Sequence, residues 1–145
     1  MAATKTISVT ANMGSGTQVY AEIRDHKVVI DQPAAGGGKN EGPTPLEYFL
    51  FSLAGCIASI GRIAAMQQKI DLRGMEIKVD AAMNPAGLLG KETDDRVGFQ
   101  TITVDASIDA DLTPEQKKVF LDEVCDRCPL HDNIKLETKV EHQLV

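Results

Sequence analysis

An α+β fold is what this sequence predicts, and three observations carry the prediction. Short alternating runs cluster at the start of the chain, over residues 6–31, and return after residue 74. One long apolar stretch with a helix-start signature, Thr44 to Lys69, separates the two groups. A second helix start, Thr113-Pro-Glu-Gln116, follows the later strands instead of alternating with them. Strands and helices that are grouped in this way build antiparallel sheets with helices beside them.

Residues 6–12 place Ile7, Val9 and Ala11 on one side and Thr6, Ser8 and Thr10 on the other, a strand pattern. Met13-Gly-Ser-Gly16 is a turn signal. Residues 17–23 alternate again through Val19, Ala21 and Ile23. Asp25-His26 are read as a short turn into Lys27–Asp31, so the first three strands form an antiparallel meander. Residues 32–43 hold three consecutive glycines and read as an irregular, flexible loop. The loop leads into Thr44, an N-cap residue with Pro45 in the first turn and Glu47 three residues on, which is a capping box. From there to Lys69 no proline interrupts, and at 1.5 Å per residue the helix would be roughly 37 Å long.

Arg73-Gly74 turns the chain. Met75, Ile77, Val79 and Ala81 then alternate with Glu76, Lys78 and Asp80, a strand with one wet face. Residues 84–96 are a polar connection to a second such strand, Thr101–Ser107 alternating with Ile102, Val104, Ala106 and Ile108. The Thr113 capping box opens a helix through Val119, Phe120 and Val124. Pro129 bars a helical conformation at Cys128 and suits the first turn of a new short helix to about Ile134, which makes Cys128 its N-cap. Leu136 and Val140 are read as a last strand.

The chain of 145 residues is expected to form one domain, 1–145. Its apolar share of 43% can build a core, and with no Trp that core is mostly aliphatic. The net charge of −6, from 15 basic and 21 acidic residues, argues against nucleic acid and against an anionic membrane surface. No apolar run reaches about 18 residues free of polar groups, so no membrane span is expected. The first residues, Met-Ala-Ala-Thr-Lys, lack the pattern of a signal peptide. Three cysteines are an odd count for a disulfide scaffold, so the expected compartment is the cytoplasm, with reduced thiols. A helix that is apolar on nearly every side needs more cover than a small monomer has. A homodimer is the expected answer.

Cys56 lies at the middle of the long helix among Ala54, Gly55, Ala58 and Ser59. It is either a small core residue or a site for sulfur chemistry, and apolar company disfavours its thiolate unless Arg24, Arg62 or Arg127 comes near. Cys128, by contrast, would face the positive end of a short helix with Arg127 adjacent, and both favour a thiolate. Cys125-x-x-Cys128 does not follow a βαβ strand, so its match to a thioredoxin motif is weak. Cys125, Cys128 and His131 as zinc ligands lack the second cluster of structural sites. His26 and His142 read as surface residues.

Gly42-Pro-Thr-Pro-Leu-Glu47, Leu53-Ala-Gly-Cys56 and Arg127-Cys-Pro-Leu-His-Asp-Asn133, in this order of elements, resemble the OsmC/Ohr family: osmotically inducible protein C and the organic hydroperoxide resistance proteins. The resemblance runs nearly end to end. It implies an OsmC-like fold, antiparallel sheets wrapped around a long central helix, in an intertwined homodimer. It also implies thiol-dependent reduction of organic hydroperoxides with no metal or organic cofactor. Cys56 would match the peroxidatic cysteine and Cys128 the resolving one, closing a Cys56–Cys128 disulfide that an external dithiol reduces. The hydroperoxide-resistance branch carries a Glu ten residues before its reactive cysteine; here Leu46 holds that position and Glu47 follows it, turned by about 100°. The candidate catalytic set is therefore Cys56, Cys128 and Glu47. Beside this peroxidase stand two other readings: a non-catalytic module holding a small apolar ligand in the dimer cleft, and a Cys/His zinc module.

Overall fold

The computed structural model describes residues 3–145 and divides into two compact units, one ending at Phe49 and one beginning at Leu50. The chain is α+β, with antiparallel sheets and one long helix. In the first unit, β1 (Ala11–Met13), β2 (Val19–Ile23) and β3 (His26–Ile30) form the expected antiparallel meander in the order β1-β2-β3. The turn between β2 and β3 is Arg24-Asp25, one residue earlier than expected, because His26 already pairs with Ile23. Arg24 takes the left-handed conformation this tight turn needs, at φ 55°. The first strand is also shorter than residues 6–12. Ala11 pairs with Ala21, so Ile7 would fall opposite Asp25, past the end of β2. A strand needs a ladder partner, and without one Ile7 and Val9 are exposed despite their alternation.

The loop over residues 32–43 is more ordered than its glycines suggest. It contains a 3₁₀ turn, Ala34–Gly36, and is organised by Asp31, whose side chain is fully buried. Five donors converge on that carboxylate: Thr17 Oγ1 at 2.7 Å, Gln18 Nε2 at 3.1 Å, and the backbone amides of Gln32, Lys39 and Glu41 at 2.7, 3.0 and 3.0 Å. Burial pushes the Asp31 carboxyl up, but the donors outweigh it and hold it well below its ordinary range. Gly38 and Gly42 let the loop lie this close, since a Cβ at either would run into the Gln32 or Val29 carbonyl. Tyr48 then ties the first turns of α1 (Pro45–Gln68) back to β3, donating from its hydroxyl to the Val29 carbonyl at 3.0 Å.

In the second unit, α1 buries Leu53, Ile57, Gly61, Ala64 and Ala65, a stripe at three- and four-residue spacing. Gly61 leaves room for the Met75 thioether of β4 (Gly74–Ala82). The helix ends in a Schellman motif: Lys69 is left-handed at φ 57°, its amide reaches the Met66 carbonyl, and the Ile70 amide reaches that of Ala65. β4 pairs antiparallel with β5 (Thr101–Asp109), from Gly74 opposite Asp109 to Ala82 opposite Thr101. The connection between them is organised by Asn84, which donates to Asp95 at 2.8 Å and accepts from the Ala86 amide. α2 (Pro114–Asp126) starts at the expected Thr113–Gln116 capping box, and α3 (Pro129–Lys135) follows after Cys128. Leu53, Ile57, Ala64, Ala65, Ile108, Phe120, Val124 and Cys128 share one core.

One further expectation is corrected. Residues 136–145 form no strand: Leu136 and Val140 are exposed and no ladder pairs them, so their alternation has nothing to act on. α1 is long and apolar enough to cross a membrane by length and composition alone, a test that a core helix also passes.

Candidate dithiol site

The site is built from two places in the chain, 72 residues apart. Cys56 sits on α1 beside the buried stripe, one residue before fully buried Ile57, so its side chain is half-buried and packs on the core. Cys128 is positioned by its neighbours. Pro129 excludes the helical conformation, and Cys128 adopts φ −84° and ψ 114° as the N-cap of α3. Its side chain is fully buried and accepts from the His131 amide at 3.4 Å. The two sulfurs lie 3.0 Å apart, both as free thiols.

The first amides of a helix have no partner within it. Here the His131 N–H donates to Cys128 Sγ, and the Leu130 N–H favours the Cys56 thiolate. Negative charge on either sulfur would therefore meet a donor at the positive end of α3. Burial and the adjacent Cys128 thiol act the other way on Cys56 and push its thiol up, against the Leu130 amide. Of the arginines considered as activators, Arg62 donates to the Leu72 carbonyl at 2.6 Å and Arg127 pairs with Glu123 at 3.6 Å. Arg24 occupies the β2–β3 turn of the first unit.

Glu47 is exposed and its carboxylate accepts from the Thr44 amide at 2.8 Å, while its own amide donates to Thr44 Oγ1. Those hydrogen bonds hold its carboxyl below the ordinary value. It serves the capping box. The structure thus brings Cys56 and Cys128 together and commits Glu47 to the helix start. Cys125, in the last turn of α2, is half-buried, and its thiol is pushed up by burial, by Cys128 and by Asp122 and Asp126. Among the described residues no group of three or more His, Cys, Asp or Glu side chains is arranged to hold a metal ion. Sequence reasoning missed the Leu130 amide. The signal was present, since Pro129 at the first helical position makes Leu130 the first residue with an amide to give.

The family model described as "OsmC-like protein" matches residues 37–143, which include Cys56 and Cys128. No curated protein matches the chain significantly. Among solved structures, an OsmC-like protein from Mycoplasma pneumoniae is 22% identical, with 90% of this chain and 88% of that one covered and a TM-score of 0.78. An organic hydroperoxide resistance protein OsmC from Legionella pneumophila is 21% identical over 92% of each chain, with a TM-score of 0.68. The organic hydroperoxide resistance protein OhrB of Bacillus subtilis is 22% identical over 92% of this chain and 93% of that one, with a TM-score of 0.59.

Proposed function

The chain belongs to the family of OsmC-like proteins, and within it we propose that this member is a thiol-dependent peroxidase acting on organic hydroperoxides. One observation carries the reading: two cysteine sulfurs from distant parts of the chain lie 3.0 Å apart, with the His131 amide of a helix start donating to one of them. The organic hydroperoxide resistance proteins from Legionella pneumophila and Bacillus subtilis share the fold and support the same reading.

The Cys56 thiolate attacks the terminal peroxide oxygen, the O–O bond breaks, and the alkoxide leaves as the alcohol after taking a proton. Cys56 is left as a sulfenic acid. The Cys128 sulfur then attacks Cys56 Sγ and hydroxide leaves as water, with the second thiol supplying the proton. The balance is one hydroperoxide and two thiols converted to alcohol, water and one disulfide. An external dithiol restores the thiols. The aliphatic surroundings of Cys56, including Leu53 and Ile60, suit an apolar substrate tail.

The same reading takes the protein as a cytoplasmic homodimer, with a second copy covering the exposed Phe51, Ile63 and Met66 of α1, and with neither nucleic acid nor membrane as partner. The test is consumption of tert-butyl hydroperoxide in the presence of a dithiol. Cys56→Ser should abolish it. Full activity in that variant would refute the mechanism. Binding of apolar ligands without any thiol oxidation would favour the non-catalytic module instead.

A further inference from the structure

We propose that Cys125 is a second resolving thiol, which takes Cys128 over from the Cys56–Cys128 disulfide and presents the oxidised protein to its reductant as a Cys125–Cys128 disulfide. The origin of the first disulfide rests on the peroxidase reading; the exchange does not. Three observations support it. First, the Cys125 carbonyl accepts from the Cys128 amide at 3.2 Å. A hydrogen-bonded turn of this kind holds the first and fourth Cα atoms within about 7 Å, and a disulfide needs roughly 4.4–6.8 Å. Second, Cys128 is fully buried, so an outside thiol cannot reach its sulfur where it stands. Third, Cys125 is half-buried and lines a surface pocket of about 90 Å³ with Asp126, His131, Asp132, Lys135 and Leu136. The pocket admits the end of a small dithiol.

The exchange is balanced within the protein. The Cys125 thiolate attacks Cys128 Sγ, the bond to Cys56 breaks, and the Cys56 thiolate leaves and takes up the proton that Cys125 lost. No electrons enter or leave. A dithiol then attacks Cys125 Sγ in the pocket and a second attack by the same dithiol releases it as its own cyclic disulfide, leaving Cys125 and Cys128 as thiols. The oxidised bond has moved from beside α1 to the last turn of α2, and Cys56 is free for another substrate while reduction proceeds.

The test uses the full chain in two arms. In one, reduced protein receives one equivalent of tert-butyl hydroperoxide. In the other it receives diamide, which oxidises dithiols without peroxide. Samples are quenched with acid at increasing times, alkylated and digested with trypsin. Arg127 separates Cys125 from Cys128, and Arg62 and Lys118 separate both from Cys56, so each bridge gives its own peptide pair. In both arms the Cys56–Cys128 pair should appear first and convert to Cys125–Cys128. Cys125→Ser and Cys125→Ala should retain Cys56–Cys128 and be reduced by dithiothreitol about tenfold more slowly than the unsubstituted chain. A Cys56–Cys128 bridge that persists at all times in both arms, or variants reduced at the unsubstituted rate, would overturn the proposal. Conversion with diamide but no disulfide with hydroperoxide would sustain the relay and remove the peroxidase reading. The first bridge forming with hydroperoxide and never converting would do the reverse.

Discussion

Ile57→Ala is the most informative packing mutation, because Ile57 is fully buried on the stripe of α1 beside which Cys56 sits. The substitution removes three carbons. At about 0.8 kcal/mol each their transfer is worth about 2.4 kcal/mol. The residual cavity adds to this, and Ile→Ala changes at such sites cost about 2–5 kcal/mol in all. The side chain shares a core with Leu53, Phe120, Val124 and Cys128, so neighbours from several elements would have to shift to close the gap. The expected loss is therefore about 3–4 kcal/mol, near the middle of that range. The assay is urea unfolding of protein kept reduced with dithiothreitol, so that no disulfide contributes. The midpoint should fall with an unchanged slope. Leu88→Ala, at a position 65% exposed, is the control and should change stability by about 0.5 kcal/mol or less. If Ile57→Ala cost no more than Leu88→Ala, α1 would not be the core helix described.

Other consequences can be checked alongside. Lys69→Gly should stabilise the protein by about 0.5–1 kcal/mol, since a left-handed C′ position costs a side chain roughly 1–2 kcal/mol and the chain entropy glycine loses on folding offsets about half of that; destabilisation on urea unfolding would refute the Schellman assignment. Asp31 has a depressed folded pKa, so its contribution to stability is present above the ordinary value of 3.8 and is lost as pH falls below it. Stability measured from pH 5 to pH 2 should therefore fall more steeply in the unsubstituted protein than in Asp31→Asn, and equal slopes would contradict the buried carboxylate. Cys128→Ser removes a neighbour that raises the Cys56 thiol, so Cys56 should alkylate faster with iodoacetamide at neutral pH and, lacking a partner, should over-oxidise to sulfinic acid with excess hydroperoxide.

What the sequence made legible was local. Thr44 with Glu47, Thr113 with Gln116, and Cys128 before Pro129 are each decided within four residues, and the structure realises all three as helix starts. What it hid depends on partners from elsewhere in the chain. Ile7 and Val9, and again Leu136 and Val140, alternate like strands but meet no ladder. Asp31 gathers donors from positions 17, 18, 32, 39 and 41, and no short pattern announces such a gathering. The approach of Cys56 to Cys128 is of the same kind. Composition and spacing left Cys56 as core or site, and only the family resemblance paired the two before the geometry did. The Leu130 amide, which faces Cys56, followed from the position of Pro129 but acquires its meaning only once α1 is in place.

The central claim, that Cys56 and Cys128 are a redox pair, is tested most directly by intact-mass measurement of the reduced protein after one equivalent of tert-butyl hydroperoxide, quenched at the earliest accessible time. The account predicts a product about 2 Da lighter, the two hydrogens lost on disulfide formation, with the Cys56 and Cys128 peptides bridged and with no such product in Cys56→Ser. An unchanged mass, or an early bridge that leaves Cys56 as a thiol, would contradict it.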